Sequence, residues 1–390
     1  MKICDLTQFY SPVSGGVKRY VSEKVRHIRE RTECDAHVLI IPGECDGVSV
    51  EGRARVYTIQ SPLVSRTSRY RVLLRLEAIE RILETERPDI IESGDPYQVG
   101  WKAVRSGAAL GIPAVGFYHS HFPEAYLRSA EKFLGRTAAE CVVDLSRRYV
   151  RSLYNRFERT LVPSPALGAV LTAWGVRNVA PTDLGVDTQI FQPESAPGEN
   201  VRAELGIPGD RTLLLYVGRL AHEKNTQTLF AAFRELARTN RFHLLIVGDG
   251  TQRPELHSLI TDHQSRITHL PYCADAPRLA ALYRAADLFV HPGVQETFGL
   301  VALEAQACGT PVVGIRGSYM DRIILGDQAR WAAANTPAAL AAAIAAHARR
   351  GFLHDPGIMH RRIAARYSWE QVFARLFDLY REVIHNYRPR

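Results

Sequence analysis

Residues 287–314 read DLFVHPGVQETFGLVALEAQACGTPVVG. Asp287 to Val290 is a short apolar run, His291 to Thr297 is interrupted by Pro292 and Gly293, and Gly299 to Cys308 holds helix formers without a break. Gly309 and Pro311 stop that helix. The order is therefore strand, turn, helix, strand. N–H groups at the start of a helix near Phe298, Gly299 and Leu300 have no partner inside the helix, and the macrodipole adds partial positive charge, so this turn favours a phosphate. Glu296 lies just before the turn, and Glu304 lies about 8 Å further along at 1.5 Å of rise per residue. A carboxylate accepts from hydroxyls and binds no phosphate. Two carboxylates flanking a phosphate seat fit hydroxyl-bearing groups on both sides, as in the sugar and the ribose of a nucleotide sugar. The same spacing also suits a plain turn carboxylate and a solvated helix carboxylate.

The wording ETFGLVALEAQACGTPVV at 296–313 carries an E-x(7)-E motif at Glu296 and Glu304, and it resembles the retaining glycosyltransferases of family 4. That resemblance implies an α/β, GT-B fold: two Rossmann-like doubly wound domains facing each other across a cleft. It also implies that Glu296 holds donor sugar hydroxyls, that Glu304 holds the ribose, and that the helix start at Phe298, Gly299 and Leu300 meets the donor phosphate.

Length and composition agree with two domains. The 390 residues are 46% hydrophobic and 23% charged, ordinary for a globular protein with two cores. No run reaches the ~18 apolar residues of a membrane span. The opening MKICDLTQFY runs straight into a strand-like segment without a signal-type apolar region, so the expected location is cytoplasmic. The six cysteines, Cys4, Cys34, Cys45, Cys141, Cys273 and Cys308, form no C-x-x-C pair, and free buried thiols are expected in preference to disulfides or zinc. Net charge is +8, yet of 49 basic residues only six are lysines, at 2, 18, 24, 102, 132 and 224. A basic balance suits a nucleotide, a nucleic acid or an anionic membrane surface. No nucleic-acid-binding motif accompanies it.

From the start, Lys2 to Leu6 reads as a buried strand, and TQFYSPVSGGVKRY leads into a helix running to about Glu30. Gly15 and Gly16 sit at its start, where missing side chains let backbone approach a phosphate or sugar. Family relatives carry G-G beside the donor phosphate. Strands follow at Ala36 to Ile41, Arg55 to Ile59 and Asp89 to Glu92, with a long helix from about Tyr70 to Glu86, an alternation that means a parallel sheet. Around that helix, SPLVSRTSRYRVLLRLEAIERIL interleaves Arg66, Arg69, Arg71 and Arg75 with Val72, Leu73, Leu74 and Leu76. This basic amphipathic stretch suits an anionic bilayer surface, or equally a core-facing helix with solvated charges. After a strand at Pro113 to Tyr118 comes HSHFPEAY. His119 and His121 alternate, but no third ligand lies close, and a metal pair is not expected. The wording resembles the lipid-acceptor branch of the family, which includes diacylglycerol glycosyltransferases and sulfoquinovosyl lipid synthases. It implies that His119 stands against the donor sugar near the reacting carbon.

An arginine-rich helix from about Ala138 to Arg156, a strand at Thr160 to Val162 and a helix at Leu167 to Trp174 precede LGVDTQIFQP, which resembles the family's interdomain passage with Leu184 in place of asparagine. Pro193 to Gly198 reads as a linker. The grammar then restarts with strand Thr212 to Val217, turn GRLAHEKN, helix Thr226 to Thr239 and strand Phe242 to Val247. Arg219 and Lys224 can converge on one anion, and Lys224 is the only lysine beyond position 132. The family's G-R-L-x-x-E-K-N pattern is matched in full, which assigns both to the donor diphosphate. After Ile267 to Leu270, Tyr272 and Cys273 occupy the turn that lies beside the base in relatives. GIRGSYMDRII departs from the family's G-G-x-x-E-x-V, with Asp321 standing for the glutamate. Ala338 to His347 is helical. Ser368 caps a last helix that in GT-B proteins crosses back to the first domain. The domains are expected at 1–190, 191–367 and 368–390.

Arg219, Lys224 and the helix start at Gly299 supply charge to a departing diphosphate without metal or other cofactor. The expected function is a retaining hexosyltransferase, moving a sugar from a nucleotide diphosphate sugar to a lipid hydroxyl at a membrane surface by front-face attack. UDP-sugar is favoured over GDP-mannose. The alternatives are a transferase of the same family with a polysaccharide or small-molecule acceptor, a nucleotide-sugar epimerase of the same fold, a nucleic-acid-binding protein favoured only by charge, and a catalytically silent sugar-binding module.

Overall fold

The computed structural model describes residues 1–10, 15–33, 35–64, 69–119, 136–194, 200–296, 298–320, 322–350 and 355–389. The chain begins with β1 (Lys2–Leu6), α1 (Gly16–Arg31), β2 (Ala36–Gly43), β3 (Gly47–Glu51), β4 (Ala54–Gln60) and α2 (Leu76–Glu86). Next come β5 (Ile90–Ser93), α3 (Gln98–Leu110), β6 (Ala114–Phe117), α4 (Arg136–Tyr154), β7 (Arg159–Val162), α5 (Pro165–Ala173) and β8 (Val179–Pro181). A second series holds α6 (Val201–Glu204), β9 (Thr212–Val217), α7 (Thr226–Ala237), β10 (Phe242–Val247), α8 (Arg253–Asp262), β11 (Ile267–Leu270) and α9 (Ala276–Ala285). It continues through β12 (Leu288–Val290), α10 (Leu300–Ala307), β13 (Val312–Val313), α11 (Pro337–Arg350) and α12 (Pro356–Tyr367), before the last helix, α13 (Trp369–Asn386). Met1–Leu184 together with Trp369–Arg390 forms one unit, and Gly185–Ser368 forms the other. The divisions thus fall at 184/185 and 368/369 where 190/191 and 367/368 were expected, and α13 belongs to the first unit. Most of the expected linker, together with Cys34, Arg66, His121 and Asp321, lies outside the described residues.

In the first unit the strands run β3-β4-β2-β1-β5-β6-β7-β8. All neighbours are parallel except β3 and β4. Strands of a parallel sheet are covered on both faces, so they read as unbroken apolar runs, and β2 is buried from His37 to Pro42. Helices close over them, with Leu83, Ile91, Val99, Val150 and Leu167 in one core. The second unit has the order β11-β10-β9-β12-β13, all parallel, around Leu214, Phe230, Leu244, Leu288 and Ile344.

Three readings of the sequence are corrected. The expected helix over Tyr70–Glu86 begins only at Leu76. Leu63 instead bridges Arg71 in an antiparallel pair, with Val64 N donating to Tyr70 O at 2.8 Å. Arg71 and Arg75 then pair with Glu44 at 2.7 Å and Asp46 at 2.6 Å, so the arginines lean on a neighbouring loop and form no helical stripe. Helix α3 was not anticipated, because Gly100 and Gly107 sit inside it. A Cβ at Gly107 would lie 2.7 Å from the Ile112 carbonyl, so the helix packs too close to its own continuation for a larger residue. The cysteines are not uniformly buried: Cys4 and Cys308 are, while Cys45 and Cys141 are exposed.

The centre of the first unit is ionic. Lys24 of α1 is fully buried between Asp5 of β1 at 2.9 Å and Glu92 of β5 at 3.1 Å. His37 of β2 faces Asp5, and Tyr380 of α13 and Tyr20 of α1 donate to Glu92. Burial pushes the Glu92 carboxyl up to about 7, against the pull of Lys24 and with the help of Asp5. For Asp5 the burial effect is outweighed by Lys24 and His37, which hold it well below the carboxylate range. Charges this far from water persist only when paired and hydrogen-bonded.

Candidate active site

The second sheet changes direction between β9 and β12, since the chain builds outward from β9 first through β10 and β11 and then through β12 and β13. Ligands of open α/β sheets bind outside the carboxyl ends of the strands at such a switch point. The loops leaving those two strands carry the residues singled out from the sequence.

From β9 the chain makes a tight turn and a 3₁₀ turn at His222–Lys224. From β12 it passes His291, Pro292 and Glu296 before Gly299 caps α10. Lys224 and Glu296, 72 positions apart, form a direct ion pair between these loops, their side chains 30% and 16% exposed. Burial would raise the Glu296 carboxyl, but the Lys224 ammonium, with His291 and Arg219, holds it below its ordinary value. Arg219 pairs with Glu223 at 2.7 Å and is mostly exposed. A cation and a carboxylate already face each other beside a helix start.

Gly299 stands at φ 84°, a left-handed conformation that disfavours side chains. Its Cβ would overlap the end of Met320, lying 2.7 Å from Sδ. Phe298 is buried edge-on to Tyr367 with the Arg322 guanidinium 5.8 Å above its ring. Its side chain therefore belongs to the core, and only its backbone can serve a ligand. Leu300 opens α10. Glu304 is not a solvated helix residue: it is 2% exposed and accepts from the Tyr283 hydroxyl at 2.9 Å. Beyond β11, Tyr272 is 60% exposed, and the Cys273 thiol donates to the Asp275 carbonyl at 3.4 Å.

In the first unit, Gly15 caps α1 and Gly16 begins it, and among the described residues nothing beyond its own chain neighbours lies within 4 Å of a Cβ built at Gly15. His119 follows β6, stacked on Phe117 at 3.9 Å and edge-on to Tyr20 at 5.4 Å. Burial lowers its pKa to about 3, aided by the charge of Lys24. Its Nε2 is buried and has no hydrogen-bond partner among the described residues. A neutral imidazole of this kind can donate or accept one hydrogen bond at that nitrogen, depending on tautomer.

Three residues of the second unit escaped the sequence reading. His291 is buried just after β12, its pKa lowered to about 4 chiefly by burial. Tyr283 orients Glu304. Asn225, at φ 56°, joins the two loops. The asparagine of E-K-N was visible but had been given no task, and the HPG wording flagged a turn without distinguishing a buried ring. Among the described residues no group of three or more His, Cys, Asp or Glu is arranged to hold a metal ion.

Comparison with known proteins bears on this geometry. Residues 14–190 match the family described as Glycosyltransferase Family 4, and residues 198–365 match Glycosyl transferases group 1. The GDP-mannose-dependent alpha-(1-6)-phosphatidylinositol dimannoside mannosyltransferase of Mycobacterium tuberculosis is 30% identical over 383 residues, covering 96% of this chain and 94% of that protein. The chain belongs to the family 4 glycosyltransferases. Sulfoquinovosyl transferase SQD2 of Arabidopsis thaliana is 29% identical over 275 residues, 70% of this chain and 48% of that one. Sucrose-phosphate synthase from Thermosynechococcus elongatus superposes with a TM-score of 0.74 at 22% identity, covering 98% of this chain and 99% of that structure. The glycosyltransferase thus has the GT-B fold. No helix among its described residues is long and apolar enough to cross a membrane.

Proposed function

We propose that this glycosyltransferase transfers a hexosyl group, with retention and without a metal, from a nucleotide diphosphate sugar to a hydroxyl of a lipid acceptor. The observation that carries the donor side is the Lys224–Glu296 pair at the switch point, beside the N-terminus of α10. Lys224 and Arg219 would take the diphosphate with the N–H groups following Gly299, stabilising the leaving charge as the glycosidic bond breaks. Glu296, released from Lys224, would accept from sugar hydroxyls, and Glu304, oriented by Tyr283, from the ribose. Tyr272 and Cys273, beyond β11 in the same unit, would border the base. The departing phosphate is the base for the acceptor hydroxyl.

For the donor, GDP-mannose comes first, because the relative that spans nearly the whole chain is GDP-mannose-dependent by name. The UDP-sugar expected from the sequence comes second. A lipid acceptor is supported by the phosphatidylinositol dimannoside in that relative's name. Exposed Val64 and Leu74, 69% and 62% accessible, stand beside the arginines of the 69–75 segment. The glycosyltransferase is expected to work at an anionic membrane face as a peripheral protein.

A thermal-shift screen of GDP-mannose and UDP-glucose, followed by chromatography of labelled product from a lipid extract, tests this reading. GDP-mannose should raise the melting midpoint most and label a lipid. Free altered donor without labelled lipid would favour the epimerase. Lys224→Ala should lower turnover by about a hundredfold through loss of charge on the leaving group, and near-normal turnover would remove Lys224 from the site. Failure of vesicles rich in anionic lipid to retain the protein at low salt would end the membrane assignment.

A further inference from the structure

One side-chain amide joins the basic loop to the acidic loop. Asn225 Nδ2 donates to the Pro292 carbonyl at 2.8 Å and to Asn335 Oδ1 at 2.7 Å, while Asn225 Oδ1 accepts from the Thr228 hydroxyl at 2.7 Å. Both N–H groups of the amide are thereby engaged. Its backbone, at φ 56° and ψ 31°, occupies the left-handed region that asparagine tolerates better than most residues. The conformation is needed because Asn225 closes the 3₁₀ turn, donating its N–H to the His222 carbonyl at 2.9 Å, and at once caps α7. Lys224 and Asn225 are neighbours, and each reaches the loop between β12 and α10: Lys224 through Glu296, Asn225 through Pro292.

The two links answer differently to a ligand. A diphosphate competes with Glu296 for the Lys224 ammonium, so the ion pair loosens when the donor arrives. The bond from a neutral amide to a backbone carbonyl carries no charge for the phosphate to claim. We infer that Asn225 is a positioning residue, holding the loop of Arg219 and Lys224 at a fixed distance from the loop of Glu296 and Gly299 whether or not a nucleoside diphosphate is bound. Lys224 can then pass from carboxylate to phosphate without the loops separating. This rests on the donor-site reading above. Without the bracket, the ion pair that a donor must break is also the link that keeps the loops together, and binding would include the cost of reordering both.

Isothermal titration of GDP and UDP into wild type, Lys224→Ala, Asn225→Gly, Thr228→Val and the Lys224→Ala/Asn225→Gly double variant tests the inference. Glycine keeps the left-handed backbone while deleting the amide. Asn225→Asp is the second probe: it keeps the acceptor for Thr228 and loses both donors. Lys224→Ala should weaken nucleotide binding by roughly ten- to a hundredfold, the size of one charge-assisted hydrogen bond. Asn225→Gly and Asn225→Asp should each weaken it about three- to tenfold with a melting midpoint close to wild type, because misplacing a binding group costs affinity without unfolding the site. Thr228→Val, which removes only the bond within the α7 cap, should bind within about twofold of wild type. In the double variant the Asn225 effect should nearly vanish, since neighbouring residues that act on one ligand group are not additive. Wild-type affinity in both Asn225 variants, or full additivity in the double variant, overturns the inference while leaving Lys224 in place. Wild-type affinity in Lys224→Ala, or no nucleotide binding by the native protein, overturns the donor-site reading itself.

Discussion

At Gly299 backbone and packing make the same demand. The φ of 84° disfavours a side chain, and Met320, fully buried, fills the space where a Cβ would go. Gly299→Ala should lower stability by about 1–3 kcal/mol, combining a left-handed alanine with an overpacked core. Thermal unfolding measures it, and Gly299→Ala combined with Met320→Ala should recover part of the loss. An unchanged midpoint in the single variant would mean that the turn relaxes freely. His291 makes a second demand, on pH. Its folded pKa of about 4 lies below the ordinary value near 6.5, so between these values the unfolded chain binds the extra proton. Stability is therefore present above pH 6.5 and lost as pH falls toward 4, on the order of 3 kcal/mol at most for a shift of this size. Urea titrations at pH 4.5 and 7 should show a smaller pH difference in His291→Gln than in wild type; equal differences would show that the imidazole is protonated without penalty.

Among the elements, legibility followed how local the cause was. Strands β1, β2, β9 and β10 stood out because each must be apolar on both faces, and that requirement is written in consecutive residues. Helix α10 and the turn before it were equally plain, since Pro292, Gly299, Gly309 and Pro311 bound it. Segments decided by distant partners were not readable. Residues Tyr70–Arg75 are helix-compatible in composition, and it is Glu44, Asp46 and the bridge to Leu63 that hold them extended. Strand β3, GVSVE, is exposed along its whole length, so it lacks the buried face that announces a strand. The acidic partners of Lys24, a helix residue, come from two strands, β1 and β5, and could not be paired in advance. Even so, Lys24 was one of six lysines in an arginine-writing chain, and the rarity that drew attention to Lys224 applied to it too. Of the candidate site, the places of Lys224 and Glu296 on the turns after β9 and β12 were legible; their direct contact, the burial of Glu304 and the bond from Asn225 to Pro292 were not.

Over the whole molecule, the first unit is made of two separated lengths of chain, with α13 supplying Trp369, Phe373, Phe377 and Tyr380 to it. Phe373 lies 5.2 Å from the ring of His27 in α1, and Tyr380 donates to Glu92. Deleting residues 369–390 should therefore loosen the first unit by several kcal/mol, because it strips one partner from a buried ionic cluster, and leave the second nearly intact. Limited proteolysis should cut within 1–184 and spare 185–368; an unaltered cleavage pattern would mean that α13 is dispensable.

The same discontinuity sets a schedule for the nascent protein. When Leu184 leaves the ribosome, the first sheet has all its strands but lacks its closing helix, and at roughly 5–20 residues per second the missing piece arrives roughly 10–40 s later. During that wait Lys24, Asp5 and Glu92 lack the Tyr380 hydroxyl, whereas the downstream unit has every residue that it needs once Ser368 has emerged, before α13 does. The half translated first is thus the half that matures last, and it is the one that chaperones would be expected to shelter.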